Sequence, residues 1–314
     1  MMFGALEAGG TKMVCAIGEE NGKILEQVSI PTRMPGETMP EIIRYFKDKD
    51  IKALGVASFG PVDPDPASPT YGYITSTPKP GWHMYDLLGA LRKEFPIPMG
   101  FDTDVNGSLL GEVTFGASKG ISDAVYITIG TGVGMGILSG GQLVHGMLHP
   151  EAGHYRMIRH PKDRFEGRCP YHKACLEGMA SGPAINDRWG VSAKELGDRD
   201  EVWEMEGYYL AQACMNLILT VSPKRIILGG GVMHQEKLFP IIREKTAEML
   251  NGYVKTKELE DMEHYIVPAS LNDDQGIMGC IKLAADAYHK ENPTGMSQNK
   301  TRNTEEHEPV RGVF

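Results

Sequence analysis

A two-domain α/β protein is what the sequence predicts, on three observations. At 314 residues the chain is too long for one simple core. Strand-like segments alternate with helical ones along it. Three glycine-rich turns follow strands and one aspartate closes a strand, spread over two halves, at the strand ends where open α/β sheets place their ligands.

The first half opens with paired strands over residues 2–31. Asn21-Gly22, between Met13–Ile17 and Lys23–Ile30, is a strong hairpin signal. Before the second strand stands Glu7-Ala8-Gly9-Gly10-Thr11-Lys12. Its glycines let the backbone approach a bulky anion, and a hydroxyl and an ammonium follow, so the turn suits phosphate. A plain glycine turn in a hairpin reads equally well. No helix pattern begins at Lys12, which excludes a Walker A loop. Helical periodicity covers Glu41–Lys49, and Ile51–Ser58 is a strand. Pro64–Trp82 is irregular and ends in Ser76-Thr77-Pro78-Lys79-Pro80-Gly81-Trp82, offering hydroxyls, an ammonium and an indole to a cleft. Pro96–Phe101 reads as a buried strand running into Asp102-Thr103-Asp104-Val105-Asn106, with a helix over Val105–Phe115. Asp104 is either a helix N-cap or a carboxylate aimed at a ligand, and the sequence favours neither.

The second half repeats the pattern. A strand over Ala124–Ile129 leads into Gly130-Thr131-Gly132-Val133-Gly134 and another strand to Leu138. Glycines at every second residue, followed by a strand, exclude a Rossmann turn but still offer backbone N–H groups and the Thr131 hydroxyl to phosphate. Ser181-Gly182-Pro183-Ala184 breaks helical sequence, and Val202–Val221 is a long helix. Arg225–Leu228 is a buried strand, then come Gly229-Gly230-Gly231-Val232-Met233 and a helix over Glu236–Leu250. Strand, glycine cluster and helix make an anion or nucleotide site, or else an unliganded tight turn. A last helix spans Asp273–Lys290, in which Gly276 and Gly279 suit close packing. From Glu291 on the sequence is polar and aperiodic.

Between the halves of this pattern lies a dense set of soft ligands. Cys169, His172 and Cys175 follow Cys-x2-His-x2-Cys spacing, and His154 precedes them by fourteen intervening residues. Two thiolates and two imidazoles suit tetrahedral Zn²⁺ with no position left for water, which is a structural and not a catalytic site. Glu151 and Glu177 flank the set, so the same ion would pin two carboxylates suited to a small hydroxylated ligand.

Bulk properties exclude several classes. The chain is 41% hydrophobic and 23% charged, as in ordinary soluble proteins. A net charge of −9 and a pI near 5.6 speak against nucleic acid or an anionic membrane as partner. Five cysteines do not make a disulfide scaffold, and thiolate ligands prefer a reducing compartment. The N-terminus lacks a basic, then apolar, leader, and Tyr208–Val221 is too short to span a bilayer. A cytoplasmic protein is expected.

These residues together resemble the sugar kinases of the actin-like ATPase (ribonuclease H-like) fold, and within them the ROK family. The turn at Glu7–Lys12, Asp102–Asn106, Ile129–Gly134, the Glu151-Ala152-Gly153-His154 segment with its Cys/His cluster, and Gly229–Val232 carry the likeness over about residues 2–290. Gly60-Pro61-Val62-Asp63 and Thr75–Trp82 are similar to the family's bacterial fructokinase branch. Three features depart from the family's usual text. Glu7 stands for an aspartate, a histidine replaces one thiol of the zinc segment, and glucokinase-like members carry asparagine where Thr103 stands and another near Lys79.

The resemblance implies phosphoryl transfer from ATP to the 6-hydroxyl of fructose, with mannose or an N-acylhexosamine as the alternative substrate. It gives Asp104 as general base. Thr103, Glu151, His154, Glu177 and Lys79 fall to the sugar. Gly10, Thr11, Lys12, Thr131, Pro183, Gly230, Gly231, Val232, Met233, His234 and Gln235 fall to ATP, which enters with Mg²⁺, and Glu7 is an anchor near that ion. It implies a homodimer with one domain over 1–117 joined by helix 273–290, a second over 118–272, the zinc segment at 151–177 and a disordered tail at 291–314. Family members that repress transcription carry a winged helix ahead of the first strand, and here that strand starts at residue 2. An intact Asp104 disfavours a catalytically silent sensor.

Overall fold

A computed structural model describes residues 1–293, so most of the expected tail lies outside the described residues. The first half runs β1 (Met2–Ala8), β2 (Lys12–Glu19), β3 (Ile24–Pro31), α1 (Pro35–Lys47), β4 (Leu54–Ser58), the two-residue pair β5 (Tyr73–Ile74) and β6 (Tyr85–Asp86), α2 (Leu87–Glu94), β7 (Met99–Thr103) and α3 (Asp104–Thr114). Its sheet has the order β3-β2-β1-β4-β7, antiparallel through β3-β2-β1 and parallel from β1 to β7. The hairpin turns at Asn21-Gly22, where Gly22 has φ +87°.

The second half runs β8 (Ala124–Ile129), β9 (Val133–Ser139), β10 (Gln142–Leu143), α4 (Leu176–Ala180), α5 (Gly182–Trp189), α6 (Asp200–Val221), β11 (Arg225–Gly229), α7 (Leu238–Leu250), the single turns α8 (Lys257–Glu260) and α9 (Met262–Tyr265), β12 (Ile266–Pro268) and α10 (Gln275–Glu291). Its sheet has the order β10-β9-β8-β11-β12, again antiparallel and then parallel.

The central strands of each sheet are buried on both faces, and the period-two alternation shows how. In β1, Leu6 and Ala8 join the core under α1 and α2, while Phe3 and Ala5 face Ile277, Cys280 and Ala284 of α10. In β8, Val125, Ile127 and Ile129 join the core beneath α6 and α7, while Ala124 and Tyr126 pack with Leu109 of α3. The last helix of each half therefore covers the sheet of the other half, and α3 and α10 also pack together. They meet backbone to backbone: a Cβ on Gly279 would stand 1.7 Å from the Gly107 carbonyl oxygen, and one on Gly111 would stand 2.2 Å from that of Gln275.

Three expectations are corrected. Helix α1 begins at Pro35, not Glu41, because proline fits a first turn whose N–H groups need no partner. Trp82 does not face a cleft; it is fully buried, and its indole N–H donates to the Arg33 carbonyl at 2.8 Å. The helix after the Gly229 cluster starts at Leu238, since a 3₁₀ turn over Gly231–His234 comes first.

The contact between α3 and α10 generates a test. Gly279→Ala should lower stability by about 1–3 kcal/mol, because a backbone oxygen cannot move aside as a side chain can. Gly36→Ala in α1, with open space at its Cβ, should be neutral or slightly stabilising. Urea midpoints at unchanged slope would show the difference, and equal midpoints would mean the helices are not in this contact.

Candidate active site

The C-terminal ends of the parallel strands converge, and each ends in a turn whose backbone is left open. In the β1–β2 turn, Gly9 donates to Lys12 O at 3.0 Å, a Cβ there would strike that oxygen at 2.6 Å, and a Cβ on Gly10 would meet no atom within 4 Å. Gly10, Thr11 and Lys12 are exposed, and the Lys79 ammonium reaches back to the Gly10 carbonyl at 2.5 Å. In the β8–β9 turn, Gly130 donates to Gly132 O at 2.9 Å and Thr131 is exposed. Gly182, the residue before Pro183, donates to Gly130 O at 2.8 Å, so Pro183 belongs beside this turn.

After β11, Gly230 has φ +89°, and a Cβ there would meet Ile129 backbone atoms at 2.5–2.8 Å. This turn forms one wall of a cavity of about 650 Å³ with Gly230, Met233, His234, Phe239, Arg243 and Asp273 among its lining residues, a size suited to a small-molecule ligand. Of the expected nucleotide residues, Gly230, Met233 and His234 line it. Gly231, Val232 and Gln235 do not; Val232 instead packs into the core.

The competition over Asp104 resolves through its neighbour. Thr103 is the N-cap of α3, its Oγ1 accepting from Asn106 N at 3.1 Å, and Asp104 is the first helical residue. Thr103 is buried and already engaged, leaving only its hydroxyl proton for a ligand. Burial pushes the Asp104 carboxyl up to about 7, with Glu151 adding to the rise, although the Val105 N–H bond at 2.9 Å opposes it. Burial also pushes Glu7 up to about 7, with Asp104 the next cause. Glu7 points at the start of α10, where a Cβ on Gly276 would strike its carboxylate.

The metal-ligand set assembles. His154 Nδ1 lies 3.8 Å from Cys169 Sγ and 3.5 Å from Cys175 Sγ, and His172 Nδ1 lies 3.7 Å from Cys169 Sγ. All four ligand atoms fall within 4.8 Å of one another. A tetrahedral zinc, with bonds of about 2.3 Å to sulfur and about 2.0 Å to nitrogen, sets such atoms roughly 3.5 Å apart, so the residues fit it. Both imidazoles turn Nδ1 inward, which leaves Nε2 of His154 for another ligand. Glu177 turns to the glycine turn, its Oε2 accepting from Val133 N at 3.1 Å. Glu151 is exposed, and its carboxyl is raised by burial of the carboxyl group and by Glu177. Two residues that carried no signal in the sequence, His145 and His149, lie against the strand ends of the first half. Only a contact across the cleft reveals them.

Two sheets of one strand order, crossed helices and glycine turns at a shared cleft define an actin-like ATPase-fold sugar kinase. A family model described as ROK family matches residues 3–287, and the chain belongs to that family. A fructokinase of Pediococcus pentosaceus is 49% identical over 287 residues, covering 91% of this chain and 99% of that protein. A fructokinase of Zymomonas mobilis subsp. mobilis is 43% identical over 298 residues, covering 92% and 98%. Among solved structures, the ROK hexokinase from Thermus thermophilus has the same fold with a TM-score of 0.75 at 21% identity, covering 92% of this chain and all of that one.

The four-ligand set predicts about one zinc per chain. Cys175→Ser should lose the metal and weaken sugar binding while nucleotide binding stays near normal, since the four ligand residues lie between Glu151 and Glu177 in the sequence and none of them lines the β11 cavity. Metal analysis with sugar and nucleotide titrations checks this, and full zinc occupancy in the variant would exclude the set.

Proposed function

We propose that this chain transfers the γ-phosphate of ATP to the 6-hydroxyl of D-fructose, giving fructose 6-phosphate and ADP. The observation that carries the reading is Asp104, the first residue of α3 directly after β7, which is not the helix cap and whose proton affinity burial raises to about 7. A base working near neutral pH needs an affinity in that range. The choice of fructose rests on the relatives, 43–49% identical over nine-tenths of the chain, that bear that name.

Asp104 takes the proton of the attacking hydroxyl. A sugar hydroxyl is a weak nucleophile, so most of the acceleration comes from holding it in line with the γ-phosphorus. Glu151, Nε2 of His154 and the free oxygen of Glu177 hold ring hydroxyls. Gly10, Thr11 and Thr131 meet the phosphates through backbone N–H groups and hydroxyls, with Lys12 supplying positive charge. The β11 cavity takes the base. Glu7 would be the anchor near an Mg²⁺ that enters with ATP, an ion that would supply neutralisation of the phosphate charge. His154, Cys169, His172 and Cys175 would hold a zinc, which would serve as a structural clamp on the sugar side. Residues 1–117 with α10, and 118–272, are the two domains that close on the substrates.

Two outcomes test this. Asp104→Asn should lower kcat by about 10²–10⁴-fold with sugar affinity little changed. In the wild type, kcat/KM should fall as pH drops through about 7, because the base is then protonated. Stability should move the opposite way. The folded chain holds protons at Asp104 and Glu7 that the unfolded chain releases, so this contribution weakens as pH rises from the ordinary carboxylate range towards 7. A variant keeping more than roughly a tenth of wild-type kcat would remove Asp104 from the role.

The substrate itself is tested by steady-state kinetics over fructose, mannose, glucose and N-acylated hexosamines with Mg²⁺ and ATP. Fructose should give the highest kcat/KM. A preference for any of the others would overturn the substrate while leaving the kinase.

A further inference from the structure

The loop after β10, residues 144–151, belongs to the second half but touches two neighbouring strand ends of the first. His145 Nε2 lies 3.0 Å from Oδ2 and 3.2 Å from Oδ1 of Asp102, the last-but-one residue of β7. Asp102 is buried, and its Oδ1 also accepts from Thr103 N at 2.8 Å and from Asn106 Nδ2 at 2.6 Å. A carboxylate taken out of water needs such donors, and the imidazole is the one donor that crosses from the other half.

Four residues on, His149 is buried, with 6% of its side chain exposed. Its Nε2 accepts from Val62 N at 3.1 Å, in the turn after β4, and its ring lies against Gly60, where a Cβ would come within 3.2 Å of Cε1. Accepting at Nε2 fixes the proton on Nδ1, so this imidazole is neutral. Burial, which lowers its proton affinity, agrees, whereas the Asp102 hydrogen bond raises that of His145. One loop thus carries a donor for one strand end and an acceptor for the next.

The spacing gives the arrangement a purpose. Asp104 follows Asp102 by two residues, and Glu151 follows His149 by two. We propose that His145 and His149 are positioning residues: together they hold the base Asp104 and the sugar-side carboxylate Glu151 in register across the cleft. This rests on the phosphoryl-transfer reading and adds to it what keeps the hydroxyl-holding groups of one half aligned with the base of the other. A misplacement of about 1 Å between groups that must align a nucleophile costs on the order of 10²-fold in rate.

The test uses the full-length enzyme with the hexose that the wild type turns over best, so that the identity of the sugar is settled before the variants are read. His149→Ala and His145→Ala should each lower kcat/KM for the sugar by about 10²-fold, with the loss shared between a raised KM and a lowered kcat. Glutamine can place an amide oxygen near the position of Nε2 to accept from Val62 N–H, or an amide N–H to donate to Asp102. His149→Gln and His145→Gln should therefore recover to within several-fold of wild type. Titration with ADP, whose cavity lies at β11, should give the wild-type affinity in all four variants and so shows that the alanine forms are folded. Alanine variants within threefold of wild type, glutamine variants as damaged as alanine, or ADP affinity lost in parallel with sugar turnover would each overturn the proposal.

Discussion

Everything in the cleft depends on how closely α3 and α10 approach. Gly107 and Gly111 on one helix, and Gly279 and the Gln275 carbonyl on the other, leave no room for a single methyl group. Helix α3 begins at Asp104 and α10 begins beside Glu7, so this separation also fixes the distance between the two acids. Both are raised to about 7, mainly by burial, and the Asp104 charge further opposes ionisation of Glu7. A positive charge brought close to Glu7 would let that carboxyl ionise.

The sugar side is held by a different physics. Short-range ligand spacing gathers His154, Cys169, His172 and Cys175 around one point, and the hydrogen bond from Val133 N to Glu177 ties that segment to the β8–β9 glycine turn. The metal-ligand segment and the β8–β9 glycine turn are thus joined by one carboxylate.

Legibility in the sequence followed the range of the interaction. Strands with period-two burial, the Asn21-Gly22 hairpin and the metal spacing depend on residues close in the chain, and each stands where the sequence puts it. Asp104 could be placed at a strand end but not released from capping, because that turned on the side chain of Thr103. Trp82 looked like a ligand-facing indole only because its partner, the Arg33 carbonyl, is 49 residues away. His145 and His149 gave no signal at all, since their partners Asp102 and Val62 lie in the other half.

The exchange of helices also fixes when the protein can become whole. The first sheet is complete in sequence by Thr103, yet one of its faces is covered by α10, which begins at Gln275. On a ribosome adding about 5–20 residues per second, that face stays bare for roughly ten seconds or more after the sheet itself has emerged. Phe3, Ala5 and Ala57 are apolar surface throughout that interval. The nascent chain must either leave this sheet unformed or shelter it with a chaperone, and a chain cut short before α10 would never lose the need for one.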